Sequence, residues 1–452
     1  MTYDLHDFLN KYREQFPDSV WEIEYPLSIK YEMTAFAQLL DSQSDPPILL
    51  FKNVNGYSQN VVSNVFASTQ RLAYILGIKP DNLVTSWSEI SRRRIKPLPV
   101  IDAPIKENIK LGSEINLFEF PIPIHYENDA GRYITSGVII AKDPFSGIGN
   151  MSFARLLVKD KSWMGISLHS RGDLWKYQQL QEALNKPLEI AVAIGVHPAI
   201  SIAAATQLPY NEDEMELAGG LLGSAVEVIK AETVDLYIPA RAEMIIEGYI
   251  EPKVMVDEGP FGEFTGYASD RSTHNSFRIT AITHRNEMLY QDIVPGYSLE
   301  HLNLSKISRV PRVYDTLKRN FNNIVNIHYP YSGTHFHCYV SLHDPLPGQA
   351  KQIISMLFGL DMYLKLVIVV DDDIDVKNEK EVLWALATRF QADRDLVLIN
   401  GVLCNLLDPS SENGLSAKLG LDATLSRGKR IQRTTIPSEV IERISKLINN
   451  SK

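Results

Sequence analysis

The sequence is poor in cysteine and in positive charge, and each shortage excludes a class of protein. Its 452 residues include two cysteines, Cys338 and Cys404, which do not form a CxxC pair. Two isolated cysteines argue against a secreted disulfide scaffold and a thiolate zinc site, so we expect both to be buried packing residues. The net charge of −10 disfavours a general nucleic-acid binder, which needs excess Lys and Arg to neutralise phosphates.

The chain also lacks a long apolar run, repeats and low-complexity segments. Its most apolar stretch, from Ile190 to Leu208, is interrupted by His197 and Pro198, which predicts a buried strand followed by a helix and not a membrane span. Residues 1–16 have apolar side chains at helical spacing but no basic flank or apolar run of a signal peptide. We therefore expect an amphipathic N-terminal helix and a soluble, cytoplasmic protein.

The middle of the chain consists of short β-rich segments, and helical segments lie on either side of it. Residues 1–95 mix helical periods with one apolar strand and predict a small α/β lead-in. Residues 96–304 are rich in short strands separated by turn residues, which favours a barrel or sandwich. After a helical segment at 305–325, residues 326–452 alternate strands with helices, which predicts a C-terminal α/β domain.

The segment EGPFGEFTGY holds two glutamates, Glu258 and Glu263, among residues that break helices. In a flat strand this odd separation would point the two carboxylates to opposite faces, so a turn or bulge must aim them jointly. One interpretation is a polar turn with two solvated glutamates. The other is a pair of carboxylates for acid–base or nucleophilic chemistry, as in glycosidases.

A second group of polar residues precedes this segment. GIGNMSFARLL contains Asn150 and Arg155, ISLHSRGD contains His169, and NEDEMELAGGLLG contains Glu214. Oxygen and nitrogen ligands suit Mn²⁺ or Mg²⁺ and not a closed thiolate zinc site. The spacings are too irregular to be a metal motif by themselves. His169 also fits a core or turn histidine, and Glu214 also fits a solvated acid in the first turn of a helix.

Eight segments, in order, carry a resemblance to a known family. They are GNMSFAR, LHSRGD, E-x3-AGGLLG, EVIKAETVDLYIPARAEMIIEGYIEP, EGPFGEFTGY, LVIVVDDDID, TRFQADRD and GLSAKLGLDAT. The set resembles the UbiD-type family of reversible decarboxylases and spans most of the chain. The resemblance implies a split β-barrel flavin domain joined by a helical linker to a C-terminal α/β domain that mediates homodimers, which assemble further into hexamers in some members.

The resemblance also implies a cofactor, prenylated FMN, made by a partner flavin prenyltransferase and held through Mn²⁺ with K⁺ close by. The residues that match the metal ligands are Asn150, His169 and Glu214, and Lys418 matches the lysine at the cofactor phosphate. The remaining cofactor-site residues would be Met151, Ser152, Phe153, Ala154, Arg155 and Leu168.

The implied reaction is the nonoxidative decarboxylation of an aromatic or heteroaromatic acid, with release of CO₂, through a covalent substrate adduct with prenylated FMN. Arg155, Glu258 and Glu263 match the Glu-Arg-Glu catalytic network of the family. A planar arginine suits a substrate carboxylate, and a buried glutamate beside the cofactor suits proton donation. Arg155 and Glu258 would then hold the substrate carboxylate, and Glu263 would be the proton donor.

Substrate recognition is less determined. His301 and Arg309 form an EH-x7-R pattern that, in members acting on small heteroaromatic acids, lines the substrate side. This chain has SKIS where those members have a glycine-containing run, so we expect a different local backbone. The alternative is that both residues cap the linker helix and form surface ion pairs.

Two further segments contain charged residues. Gly414, Ser416 and Gly420 surround Lys418 and would let the backbone approach an anion, whereas an isolated lysine is ordinarily exposed. The acidic run Asp371 to Asp373 imitates a metal site, but we interpret it as a strand end and turn away from the cofactor.

Two alternative functions stay open. One is a catalytically silent flavin-binding or assembly factor, and the other is a metal-assisted hydrolase that uses the glutamate pair and a water. The simultaneous presence of Arg155, Glu258 and Glu263 favours catalysis, because binding alone does not require all three. The sequence leaves open which ring acid is the substrate and in which direction the reaction runs.

Overall fold

Helices and strands follow one another along the whole chain in the computed structural model, which describes residues 3–43, 45–168, 172–425 and 433–449. The α-helices in these ranges are α1 (Leu5–Gln15), α2 (Glu32–Leu40), α3 (Thr69–Ile75), α4 (Trp87–Ile90), α5 (Asp173–Ala183), α6 (Pro198–Ala204), α7 (Glu214–Leu222), α8 (Leu299–Lys306), α9 (Arg309–Asn320), α10 (Gln349–Leu360), α11 (Glu379–Arg389) and α12 (Ser438–Asn449).

The strands fall into five sheets. They are β1 (Val20–Ile23), β2 (Ile48–Phe51), β3 (Asn60–Ser63), β4 (Leu98–Pro99), β5 (Asn108–Leu111), β6 (Tyr133–Ile134), β7 (Val138–Lys142), β8 (Gly149–Phe153), β9 (Arg155–Asp160), β10 (Trp163–Ser167), β11 (Leu188–Ile194), β12 (Glu227–Lys230), β13 (Tyr237–Pro239), β14 (Met244–Met255), β15 (Phe261–Gly262), β16 (Ala268–Ser269), β17 (Asn275–His284), β18 (Leu289–Gln291), β19 (Ile324–His328), β20 (His337–Leu342), β21 (Leu366–Asp371), β22 (Leu396–Leu403) and β23 (Leu415–Ala423).

Helix α1 buries the apolar side chains that recur at helical spacing near the N-terminus, as the sequence predicts. The side chain of Asp4 caps the first turn by accepting a hydrogen bond from the backbone N–H of Asp7 at 2.8 Å. The buried face consists of Leu5, Phe8, Leu9 and Tyr12, which pack toward the four-stranded sheet β1-β2-β3-β18. The apolar stretch from Ile190 to Leu208 forms buried β11 and then α6, which confirms the predicted strand and helix.

The largest sheet is a curled antiparallel barrel with nine strands. Its order is β6-β9-β10-β17-β14-β11-β7-β8, with β5 added on β17. Strand β8 lies at one end of this order and β9 next to the other end, yet only Ala154 separates them in the chain. One extended segment therefore contributes strands near both ends of the curled sheet. The core inside the curl is built from apolar residues such as Leu156, Ile190, Val192, Ile246 and Phe277, all buried.

The C-terminal sheet has the order β19-β20-β21-β23-β22, with β20, β21 and β23 parallel and the two edge strands antiparallel. Helices α9 and α10 cover one face and α11 covers the other, as a mostly parallel sheet requires. Asp371 ends β21, and Arg389 pairs with it at 2.8 Å and with Asp373 at 2.6 Å. The acidic run is thus a strand end and turn, as predicted.

One other expectation is met within the described ranges. Cys338 and Cys404 are both buried and free. Among the helices of the described residues, none has the length and apolar character needed to cross a membrane.

Candidate active site

An arginine clamped between two buried carboxylates forms the centre of the candidate site. Arg155, the first residue of β9, donates from Nε to Glu258 Oε1 at 2.9 Å and from Nη2 to Glu258 Oε2 at 3.1 Å. Its Nη1 donates a short hydrogen bond to Glu263 Oε1. Glu258 is 2% exposed and Glu263 is 9% exposed, so the interpretation as a solvated polar turn is wrong.

The turn that aims both glutamates is fixed by backbone contacts. A cis peptide joins Gly259 and Pro260 between them. The N–H of Gly262 donates to Asp129 Oδ1 at 2.9 Å, and the N–H of Glu263 donates to the Tyr267 carbonyl oxygen at 3.0 Å. Because the turn replaces a flat strand, the odd spacing of the two glutamates no longer separates their carboxylates.

The two glutamates occupy unlike environments. Glu258 makes a bidentate ion pair with Arg155, while Glu263 contacts one terminal nitrogen. Burial raises the pKa of Glu263 above its usual value, and the charge of Arg155 opposes this shift only in part. Burial lowers the pKa of the arginine, but the hydrogen bond and charge of Glu258 outweigh this and leave it raised. Glu263 is therefore the carboxyl group suited to carry a proton.

A second polar group lies on β8 and α7. Glu214 opens α7 and is 3% exposed; its Oε2 accepts from Asn150 Nδ2 at 3.1 Å and from the Met151 N–H at 2.8 Å. Asn150 Oδ1 is buried and lacks a hydrogen-bond partner in the described part of the chain. Burial raises the pKa of Glu214 to about 8. A buried carboxylate next to a buried amide oxygen that has no partner among the described residues fits a divalent metal, which would stabilise the ionised carboxylate.

His169, the third predicted metal ligand, lies outside the described residues. Where the structure describes the chain, no group of three or more His, Cys, Asp or Glu residues is placed to hold a metal. The remaining predicted cofactor residues lie on β8 and the residue after it, except Leu168, which follows β10. Met151 and Ala154 are buried, Ser152 and Phe153 are partly buried, and the N–H of Leu168 donates to Thr273 Oγ1 at 2.7 Å.

Lys418 lies in the C-terminal domain on β23. It is fully buried, and its Nζ is 3.3 to 3.5 Å from the carbonyl oxygens of Phe358, Asp361 and Met362. The alternative of an exposed Lys418 is therefore wrong. The prediction that Gly420 lets an anion approach the backbone is also wrong. A Cβ on Gly420 would lie 2.2 Å from Ile354 Cγ2, so this glycine makes room for the packing of helix α10. Phosphate contact by Lys418 stays a prediction.

His301 and Arg309 lie on α8 and α9 and converge on the C-terminal domain. His301 Nδ1 is 3.1 Å from the Gly296 carbonyl oxygen, and burial lowers its pKa. Arg309 is paired with buried Asp361 at 3.6 Å, and its guanidinium lies 4.5 Å from the ring centroid of Tyr363. The side chain of Arg309 is 14% exposed, so the alternative of a surface ion pair is wrong for it.

Five residues beside this pair were not singled out from the sequence as site residues. The ring of Phe264, next to Glu263, lies 4.6 Å from the ring of His335 and 5.9 Å from the ring of Tyr363. Ser305 Oγ lies 2.9 Å from His335 Nε2. Lys306, in the SKIS segment, adds a further cation. In the sequence, the unusual SKIS run was the one feature that indicated this group of residues.

Three family domain models match the chain. They are the N-terminal domain of 3-octaprenyl-4-hydroxybenzoate carboxy-lyase at residues 17–91, its Rift-related domain at 98–298 and its C-terminal domain at 303–423. An uncharacterized protein of Aquifex aeolicus is 32% identical over 97% of this chain and 95% of its own.

Solved structures agree with these matches. HmfF, a UbiD-class enzyme of Pelotomaculum thermopropionicum in complex with FMN, has a TM-score of 0.92 and 34% identity, covering 98% of this chain and 99% of its own. An evolved dimeric form of HmfF in complex with prFMN has a TM-score of 0.89 and 32% identity, covering 99% of this chain and 100% of its own. The open form of vanillic acid decarboxylase from Sedimentibacter hydroxybenzoicus has a TM-score of 0.85 and 29% identity, covering 99% of each chain.

A curled nine-stranded sheet with an arginine between two buried carboxylates, together with these matches, defines an enzyme of the carboxy-lyase class, a decarboxylase. The chain belongs to the UbiD family.

Proposed function

We propose that the protein catalyses the reversible, nonoxidative decarboxylation of an aromatic or heteroaromatic acid with the help of prenylated FMN. The observation that carries this proposal is the contact of Arg155 with both Glu258 and Glu263 in a buried site. Removal of CO₂ from an sp² carbon leaves a carbanion that no side chain can stabilise alone. When bound, prenylated FMN supplies the covalent electron sink for that charge.

The chain's residues for this cofactor are grouped around β8. Asn150 and Glu214 would hold a divalent ion, Mn²⁺ by resemblance, that neutralises the cofactor phosphate. The partner-free Asn150 oxygen and the buried carboxylate support this role. His169 would complete the ligand set, with K⁺ nearby and Lys418 as a further phosphate contact. Structures of the related HmfF are in complex with FMN or prFMN, which supports a flavin here.

Arg155 binds and orients the substrate carboxylate. Its planar guanidinium suits a carboxylate, and Glu258 fixes that plane through two hydrogen bonds. When Glu263 is protonated, its ion pair with Nη1 weakens, and this nitrogen becomes available to the substrate. One terminal nitrogen therefore alternates between Glu263 and the departing carboxylate.

Glu263 donates the proton that replaces CO₂. Burial favours its neutral form, whereas Glu258 shares its charge with Arg155 at two points. Proton transfer from a positioned acid contributes roughly 10²- to 10⁴-fold to rate. In the reverse direction, the same carboxylate removes the ring proton before CO₂ adds.

On the far side of Glu263, His301 and Arg309 would contact the ring acid. Phe264 links Glu263 to this cluster through its ring contacts. We also propose a flavin prenyltransferase as supplier of the cofactor and a homodimer formed through the C-terminal domain, since HmfF has been solved in a dimeric form.

Exchange of the ring proton tests the assignment of Glu263. The holoenzyme, coexpressed with a flavin prenyltransferase and given the decarboxylated product in D₂O, should place deuterium at the former carboxylate carbon. Glu263→Gln should keep fold, metal and flavin but exchange at least about 100-fold more slowly, because Gln cannot carry the proton. The matched control is Glu251→Gln, a glutamate in the barrel that pairs with Arg278.

Deuterium incorporation at the parent rate in Glu263→Gln would remove the proton-donor role from this residue. A colourless protein after coexpression, with the visible flavin bands absent, would contradict the flavin-dependent function and favour a hydrolase. Full flavin loading without turnover or exchange on any aryl, furan, pyrrole or indole acid would favour a silent binding factor.

A further inference from the structure

An aromatic ring lies against the guanidinium of Arg155. The central carbon of the guanidinium is over the ring of Phe261, 4.8 Å from the ring centroid. Phe261 is 5% exposed and stands between Glu258 and Glu263, in the turn that carries both carboxylates. Hydrogen bonds to the glutamates act along the plane of the guanidinium, whereas an aromatic face attracts the cation from outside that plane. Phe261 therefore restrains Arg155 in a direction that neither glutamate controls.

Phe261 belongs to a small apolar cluster that is separate from the larger cores of the described residues. The other members are Tyr133 on β6 and Leu157 on β9, which lie opposite each other in the β6–β9 pair. The Phe261 ring is 4.7 Å from the ring of Tyr133, which is fully buried. Leu157 and Arg155 are two residues apart on one strand and so share a face of the sheet. The cluster thus holds the ring on the face from which Arg155 projects.

Hydrogen bonds anchor the backbone on both sides of this ring. The Pro260 carbonyl oxygen accepts from the Ala130 N–H at 2.9 Å and from the Tyr133 hydroxyl at 3.2 Å. On the other side, the Gly262 N–H donates to Asp129 Oδ1 at 2.9 Å. A side chain that is fixed before the substrate arrives costs no further ordering when it is used. The ring is therefore built as a rigid support.

Most of the in-plane donors of Arg155 are already used. Nε and one hydrogen of Nη2 go to Glu258, and the second hydrogen of Nη2 goes to the Arg271 carbonyl oxygen at 2.7 Å. Nη1 donates to Glu263 and keeps one hydrogen without an acceptor among the described residues. A substrate carboxylate therefore has the Nη1 edge as its place to bind, and a tilt of the guanidinium would turn this edge away.

We propose that Phe261 is a positioning residue for the reaction, which fixes the tilt of the Arg155 guanidinium so that Nη1 meets the substrate carboxylate. This inference rests on the proposed decarboxylase function. If the ring only filled space, an apolar side chain of similar volume would serve equally well. If it holds the cation, activity depends on the electron density of the ring face.

The test weakens the ring face in steps at nearly constant shape. Mono-, di-, tri- and pentafluorinated phenylalanine are introduced at position 261 of the holoenzyme, because fluorine draws electron density away from the ring face. We expect kcat/KM, for the ring acid that the parent decarboxylates fastest, to fall with each added fluorine and by about tenfold in total. Phe261→Leu should lose at least as much. Flavin content, metal content and melting temperature should stay at the parent level across the fluorinated series.

Calorimetric binding of furoate and benzoate to each holoenzyme gives a readout that does not need turnover, and affinity should fall in the same order. The matched control is Phe51, a fully buried phenylalanine on β2 that packs edge-on against Phe36. Its pentafluorinated form and Phe51→Leu should keep the parent kcat/KM and affinity. Losses of the same size at Phe51 would overturn the role of Phe261.

Parent kcat/KM and affinity throughout the fluorinated series also overturn the inference, even where Phe261→Leu is inactive, because the ring would then only fill space. The decarboxylase function fails in a different way. A flavin-loaded parent that releases CO₂ from no aryl, furan, pyrrole or indole acid would contradict that function, whereas a stepwise loss of carboxylate affinity would still support the contact of Phe261 with Arg155.

Discussion

Glu258 and Glu263 share one arginine but differ in how they hold it. Glu258 uses both oxygens, whereas Glu263 uses one oxygen on one terminal nitrogen. The bidentate partner fixes the guanidinium plane, and the single contact is the one that protonation can release. This difference in contact number and the raised pKa of Glu263 support the proposal that Glu258 positions the arginine and Glu263 donates the proton.

Arg155→Lys should therefore abolish most activity although it keeps the positive charge. An ammonium group cannot span both carboxylates and present a planar face to the substrate, so we expect kcat/KM to fall by at least about 100-fold, or roughly 3 kcal/mol of transition-state stabilisation. Metal and flavin content should be unchanged. The control is Arg278→Lys, which changes an exposed arginine that forms an ion pair with Glu251. Similar losses of kcat/KM in both variants would contradict the role assigned to the planar guanidinium of Arg155.

A fully buried carboxyl group, Glu300, should make stability depend on pH. It accepts from the N–H groups of Asn64, Phe66 and Val294, yet burial, and then the charge of Asp292, raises its pKa to about 8. The folded protein therefore holds a proton that the unfolded chain releases near pH 4.5, and stability falls as pH rises from about 4.5 to about 8.

The contribution of Glu300 to this decline is up to about 5 kcal/mol of unfolding free energy. Glu300→Gln cannot titrate, so its unfolding free energy, measured in urea across this pH window, should decline less steeply than that of the parent. Parallel curves for the two proteins would show that Glu300 does not titrate in the window.

At the scale of elements, two glycines allow α7 to pack closely enough to position Glu214. A Cβ on Gly219 would lie 2.5 Å from the Ile95 carbonyl oxygen, and one on Gly220 would lie 2.2 Å from the Arg93 carbonyl oxygen. The helix thus packs directly on the backbone of residues 93–95. This close packing holds the N-terminus of α7, and with it Glu214, against β8.

Gly220→Ala should push α7 outward and move Glu214 away from Asn150. Overpacking of this kind costs about 1 to 3 kcal/mol, and we expect weaker metal retention and lower flavin occupancy, read by metal analysis and absorbance. Gly359→Ala on α10 is the matched control, because nothing lies within 4 Å of the added Cβ. That variant should be as stable as the parent or more stable by about 0.5 to 1 kcal/mol. Equal flavin content in both variants would contradict the role of α7.

The sequence predicted elements better than it predicted contacts. Helix α1, the strand and helix of Ile190 to Leu208 and the turn after β21 followed from periodicity and breakers, which are local. Motif resemblance grouped Arg155 with Glu258 and Glu263. It did not reveal His335 or Tyr363, because their contact with Phe264 joins residues far apart in the chain and depends on how α8 and α9 lie against the C-terminal sheet.

At the scale of the molecule, the C-terminal domain presents a partly apolar surface. Strand β22 is a free sheet edge with Leu396, Leu398 and Leu403 exposed, and α12 exposes Ile441 and Ile444. Exposed apolar edges invite strand pairing, and identical edges pair antiparallel about a two-fold axis. A second copy of this chain is the occupant that we propose for this surface.

Leu398→Glu should therefore convert the dimer to a monomer at micromolar concentration in sedimentation velocity experiments, because a charge in an apolar interface is left unpaired. The matched control is Leu39→Glu on α2, where the leucine is 80% exposed in the N-terminal region. A parent protein that already sediments as a monomer would contradict the proposed dimer.

One extended segment ties two proposed tasks together. Asn150 on β8 and Arg155 on β9 stand on this segment, five residues apart, so the distance between the proposed metal ligand and the proposed substrate clamp is a length of extended chain, roughly 16 Å at most. An inserted or deleted residue between them would turn every later side chain of the segment to the opposite face. The spacing between these two residues therefore cannot change by one residue without turning one of them away from the site.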